Sequence, residues 1–301
     1  DMVRLYGQQY ESGGNNTQLG IPVVLDPPDL NRKVPRNTVE EVYAQIVNDL
    51  ASAVDKLPES NGVRADKYAA EAVLARVYLQ QGNYVSARDA ADDVIENSGH
   101  SLMPTYNEVF DTDNNTNETI FSWIVTQQEG LNWQNVHFAD EALGGRQGDI
   151  NISQAYLDKF DSDLDERKHY NYIGTGTATG LILTSKFSHQ FANTQPVRLA
   201  EMLLIRAECN FREGTSVGMD PLSEINALRA RSSAPPLSSL TLEIILNERE
   251  LELGFEGFVL HDYKRTKRDI GGLPYNDNKL IFPIPQSAID RNPLLEQNPE
   301  Y

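Results

Sequence analysis

The chain has 301 residues, of which 40% are hydrophobic and 23% charged, a composition that supports an ordinary folded core and excludes bulk disorder. Its 44 acidic and 26 basic residues leave a net charge of −18, which repels nucleic acid and anionic membrane surfaces alike. No apolar run approaches the roughly 18 residues needed to cross a bilayer, and the lone Cys209 allows neither a disulfide framework nor a thiolate metal site.

In chain order, Met2, Val3, Leu5 and Tyr6 before Gly7 read as the end of a helix that starts upstream. Residues 13–35 are rich in Gly, Asn, Pro and Asp and read as an extended loop, with at most a short strand in GIPVVLDPPD. Thr38 and Glu41 form a capping box, and Val42, Ile46, Leu50, Val54 and Leu57 then draw an apolar stripe that stops at Pro58. Asp66 to Asn97 reads as two helices joined by a tight turn at Gly82. Ala69, Ala72, Val73 and Leu79 share a face on the first, and Ala87, Ala91, Val94 and Ile95 on the second.

Tyr78, Gly82, Tyr84 and Ala87 in that hairpin resemble the tetratricopeptide consensus. One such pair exposes apolar faces on both sides, so further copies are expected to stack against it. From Gly99 to about Thr194 the helical period is mostly lost. Glu118–Val125 and Leu181–Phe187 read there as short strands, and Ser153–Phe160 as a short capped helix. Helical periodicity returns from Pro196, with a second hairpin through PVRLAEMLLIRAECNFREG and DPLSEINALRARS, a helix over Thr241–Phe255 and a shorter one over Gly257–Arg268. Cys209 lies on an apolar helix face and reads as an inert buried thiol. The fold class is therefore mostly α: tetratricopeptide-like hairpins over 1–98 and 196–268, a loop-rich insertion with a few short strands over 99–195, and a Pro/Asn-rich tail over 269–301. A long irregular stretch on a rigid scaffold is where function is expected.

The order of motifs from Asn247 onward is similar to the closing pattern of the SusD/RagB family. The matching residues are Glu248, Arg249, Glu252, Leu253, Phe255–Gly257, Asp262, Lys264–Thr266, Pro283–Pro285, Asn292, Pro293 and Gln297–Pro299. Earlier segments, MVRLYG, GIPVVL, TVEEVYAQIVNDL, NETIFSW and AEMLLIRAEC, follow the family's order, with an N-terminal portion missing. The chain departs from the pattern at Val259, Leu260 and His261, where family members commonly carry an Arg-Trp segment. The resemblance implies an outer-membrane, cell-surface lipoprotein that is not an enzyme and needs no cofactor. Such a protein captures a glycan and passes it to a SusC-like TonB-dependent transporter. Its only tie to the membrane would be a lipid anchor upstream of Asp1. A RagB-like peptide binder and a generic tetratricopeptide scaffold are the alternatives.

For a glycan binder the informative residues are exposed rings beside side-chain amides, because sugar C–H faces stack on aromatics while amides take hydroxyls. Trp133, flanked by Asn132 and Gln134 in the polar stretch GLNWQNVHF, leads the candidates; Phe138, Trp123 and Tyr106 complete the set. Trp123 lies in an apolar strand, where a place in the core is the more ordinary expectation. Glu248, Glu252 and Glu256, spaced by four, share one helix face near Arg249 and Arg265. A catalytic carboxylate pair could be read there, but an ion-pair network tying this helix to the next is preferred. The acidic strings from Asp111 and Asp161 lack the glycine and glutamate of a calcium loop and read as solvated turn carboxylates. The five histidines have no zinc spacing, so no metal is expected.

Overall fold

The computed structural model describes residues 1–27, 32–128 and 132–301. In it, the end of the GIPVVLDPPD stretch and the start of GLNWQNVHF lie outside the described residues. Five residues form α1 (Met2–Tyr6) before an irregular segment leads to α2 (Val39–Lys56). The capping box is present: Thr38 Oγ1 accepts from Glu41 N–H while the Glu41 carboxylate accepts from Thr38 N–H. Next come α3 (Lys67–Gln81) and α4 (Tyr84–Asn97), the first capped by Asp66 and closed by Gly82 at φ 72°, a left-handed position natural to glycine. Their alanine faces meet, so the backbones approach closely.

The middle of the chain is more ordered than its sequence suggests. It holds β1 (Thr119–Trp123), α5 (Trp133–Phe138), α6 (Gln154–Leu157), α7 (Glu166–His169), β2 (Asn171–Ile173), β3 (Ile182–Thr184) and β4 (Thr194–Arg198). Two expectations change here. Leu181–Phe187 is a strand only over β3, which pairs with β2 as an antiparallel hairpin, and the segment from Pro196 begins as strand β4, with the helix starting at Leu199. β4 pairs antiparallel with β1, with Trp123 opposite Thr194 and irregular register along the ribbon, and partners so distant in sequence leave no local trace.

After β4 come α8 (Leu199–Glu213), α9 (Pro221–Arg231), α10 (Leu242–Glu252), α11 (Val259–Arg265) and α12 (Gln286–Arg291), the last within the Pro/Asn-rich tail. α8 is the axis of the molecule. Leu199 through Asn210 are buried without interruption, because α3 and α4 with the β1–β4 ribbon pack on one side and α9 with α10 on the other. Its buried charges are all paired: Glu201 with Arg76, Arg206 with Asp92, Glu96 and Glu224, and Glu208 with Arg212 and Arg265. The tail returns to the N-terminal segment through buried Asn298, which accepts from Arg36 (2.8 Å) and donates to the carbonyls of Tyr6 (2.9 Å) and Phe282 (2.7 Å).

Candidate functional site

Beneath the middle segment lies a buried lattice of charges. Arg198 donates to Glu118 (2.8 Å), Glu252 (2.7 Å) and Glu256 (2.9 Å); Arg231 reaches Glu118 (2.7 Å) and also Glu252. Arg167 holds Asp165 and Glu248, Arg229 holds Glu248 and Asp161, and Lys186 holds Glu256. With the half-exposed Asp161 set aside, five cations (Arg167, Lys186, Arg198, Arg229, Arg231) face five anions (Glu118, Asp165, Glu248, Glu252, Glu256), so the lattice is neutral and its burial is tolerable. Burial alone would raise the Glu252 carboxyl, but the guanidiniums of Arg231, Arg198 and Arg167 hold it well below the usual carboxylate range.

The network differs from the sequence expectation in its partners. Arg249 and Arg265 do not meet Glu248, Glu252 or Glu256; both bind Asp262, and Arg265 also binds Glu208. The glutamates therefore tie α10 to the middle segment and to α9, while Arg249 ties it to α11 through Asp262. Only Glu248 and Glu252 lie on α10. Glu256 follows a turn in which Phe255 has φ 68°, a conformation costing on the order of 1–3 kcal/mol for a bulky side chain. That turn delivers the Glu256 carboxylate to Arg198 and Lys186. Of the carboxylates from Asp161, only Asp165 departs from the expected solvated turn group, being buried against Arg167; Asp161 is half exposed beside Arg229, and Asp163 is exposed beside Lys168.

Above the lattice a cleft of roughly 320 Å³ opens to solvent. Lys186 and Phe187 lie at its base, Trp123 and residues 192–196 form one edge, Asn132 and Gln134 another, and Arg76 and His261 the far side. Lys186 Nζ donates to Glu256 (2.6 Å) and to the carbonyls of Gly254 (2.9 Å) and Glu252 (3.0 Å); burial pulls it down to about 8, against the attraction of Glu256. His261 is pushed down to about 3 by burial and by Arg4, so it is neutral at pH 7. Of the groups just described, Lys186 is committed to Glu256, Arg76 to Glu201, and His261 is uncharged, so the Trp123 ring and the Gln134 amide are available to a ligand beside the Arg4–Asp1 pair.

The candidates divide accordingly. Trp123, at the solvent end of β1, is 58% exposed and not in the core, because strand alternation turns it outward at the ribbon's last register position. Trp133 is 65% exposed, but as the first residue of α5 instead of part of a loop, with its ring stacked on His137 at 5.8 Å. Asn132 is buried and caps α5, accepting from Gln134 and Asn135 N–H and donating to the Ala192 carbonyl at 3.0 Å. The Gln134 side-chain amide has no protein partner among the described residues, which leaves it open to a ligand hydroxyl. Phe138 props α5 from beneath, against Phe187 and Phe255. Tyr106, 1% exposed, is a core residue that touches no ligand: its ring packs on Phe110 and Tyr170 and sits under Lys186 and Arg231. Sequence reasoning missed Lys186 and Arg76, whose one signal is a cation interrupting an apolar run, as in LTSKF and AVLARVYL. Among the described residues, no three His, Cys, Asp or Glu side chains gather as a metal site.

Comparison with known proteins places this geometry. A model described as the SusD family matches residues 59–271, and one described as starch-binding, associating with outer membrane, matches residues 2–79. A SusD-like protein of Bacteroides ovatus is 30% identical over 276 residues, covering 74% of this chain and 50% of its own, so the chain spans about half the length of that relative. The crystal structure of a SusD superfamily protein from Bacteroides thetaiotaomicron superposes with a TM-score of 0.84 at 27% identity, over 99% of this chain and 74% of that one. Surface glycan-binding protein A of Bacteroides uniformis shares the fold, with a TM-score of 0.79 at 19% identity over 99% of this chain and 74% of its own. A family model that matches most of the length, on a fold shared nearly end to end, means that this chain belongs to the SusD family.

Proposed function

We propose that the chain captures a glycan at the outer-membrane surface and delivers it, unaltered, to a TonB-dependent transporter. The observation that carries this reading is Trp123, a large ring held in solvent at the edge of a cleft that also carries the Gln134 side-chain amide. Exposed Trp at a concave site is costly unless a partner covers it, and a sugar's C–H face is such a partner. The fold relative from Bacteroides uniformis is itself a surface glycan-binding protein, and the outer-membrane description of the matching model supports the location.

Capture without turnover fits the chemistry of the cleft. Glycoside hydrolysis needs two carboxyl groups free to act on the scissile bond. Here Glu248, Glu252 and Glu256 are each held by guanidinium or ammonium groups. The test is native affinity electrophoresis through gels containing starch, xylan, laminarin or glucomannan, followed by chromatography of the recovered oligosaccharides. Retention by one polysaccharide with no shortening of the chains is expected. Migration unchanged in all four, or release of smaller products, would overturn the reading.

A further inference from the structure

The segment from Ser185 to Pro196 is a wall with a cavity on each side. Lys186, Phe187 and residues 192–196 face the Trp123 cleft, whereas Ser185 and residues 188–191 face a second, more open groove of roughly 440 Å³. That volume lies in the range of small-ligand sites. Two half-buried rings, Tyr172 from the β2–β3 hairpin and Phe191 from the wall, line it together with Leu143 and Ser188, and Asp113 pairs with His189 at 3.2 Å on its rim. Tyr172 Oη accepts from Asp140 N–H (3.1 Å), which leaves the phenol's own proton to donate.

The wall is pinned on both faces. Asn193 N–H donates to the Asp113 carbonyl (3.0 Å) and Asn193 Nδ2 to Asn115 (2.8 Å), while on the other side Asn132 holds the Ala192 carbonyl. Both cavities therefore share one rigid rim, as a site that binds without rearrangement needs.

Resting on the glycan reading above, we propose that the Tyr172–Phe191 groove is a second sugar subsite. Its ligand is a single neutral polysaccharide chain that crosses the wall and occupies both cavities at once. Neutrality follows from the Asp113 carboxylate on the rim and the net charge of −18, both of which oppose a polyanion. Two linked subsites on one polymer raise affinity through effective concentration, so a long oligosaccharide gains what a short one cannot.

Calorimetric titration with malto-, cello-, xylo-, laminari- and mannohexaose and the corresponding trisaccharides tests this, using the wild-type chain, Phe191→Ala and Tyr172→Phe. For the hexasaccharide that binds wild type, Phe191→Ala is expected to weaken affinity about tenfold, the loss of roughly one ring contact. Its trisaccharide affinity should stay unchanged, and Tyr172→Phe, which keeps the ring and so the fold, should cost about threefold on the hexasaccharide alone. Equal affinity of wild type and Phe191→Ala for the hexasaccharide, or equal losses on both lengths, would overturn the second subsite while leaving the glycan reading standing. Wild type that binds no saccharide of the panel would overturn both.

Discussion

The lattice under the cleft and the rim above it are built from similar polar side chains and do opposite things with them. In the lattice, Arg167, Arg198, Arg229 and Arg231 are out of water and each meets carboxylates from a different segment. At the rim, Trp123 faces solvent beside the partly exposed Gln134, with Trp133 exposed just outside it on α5. The difference teaches where rigidity and recognition come from. Charges matched out of water fix the position of the middle segment, and the groups that this fixing leaves over are available to a ligand.

The comparison breaks most sharply if the lattice is opened. Arg198→Met leaves Glu118, Glu252 and Glu256 buried beside fewer cations, and should lower the unfolding free energy by about 3–5 kcal/mol in urea titrations. A loss under about 1 kcal/mol would show the lattice to be dispensable. Acid should open it too. Despite burial, Arg198 and Lys186 keep the Glu256 carboxyl, like that of Glu252, below its unfolded value, so the unfolded chain binds more protons in acid. Their contribution is complete above the unfolded carboxylate value near 4.3 and falls away as pH drops through the lower folded values. Denaturation midpoints that do not move between pH 5 and pH 3 would contradict this.

Changes at the rim should spare the fold and reach only binding. Trp123→Ala should cost about 2 kcal/mol in glycan affinity, roughly thirtyfold, with the melting temperature unmoved. Trp133→Ala, further from the cleft's lining, should cost about 1 kcal/mol. Equal losses from the two would extend the site across α5. The smallest effect lies outside both regions. Burial, and then a hydrogen bond to Asp93, push Glu71 up to about 8, so its favourable contribution is present below the unfolded value and is lost as pH rises through 8. Glu71→Gln should therefore stabilise the chain at pH 9 relative to pH 6, by about 1 kcal/mol or less because the group is partly exposed.

Much of the scaffold is legible residue by residue. Thr38 with Glu41, Asp66, Gly82 and Asn83 state helix limits through hydrogen bonds made within a few residues of themselves. The candidate site is legible only in part. Trp123, a ring candidate for which a core place is the more ordinary expectation, is exposed, and Tyr106, read as a ligand contact, is buried. The surroundings of both are set by partners far along the chain: β4 for Trp123 and Glu252 for Tyr106.

What the sequence by itself determined is the set of long scaffold helices, their caps and their apolar faces, together with the closing motif that marks the family. Those features rest on short-range periodicity and local hydrogen bonds, which any reader of the chain can trace. Only the tertiary structure decided which carboxylate meets which arginine, where β1 finds its partner, and which side of Ser185–Pro196 faces which cavity. Each of those outcomes depends on burial, and burial belongs to the packed chain, because the dielectric around a charge and the water left beside a ring are set by neighbours remote in sequence.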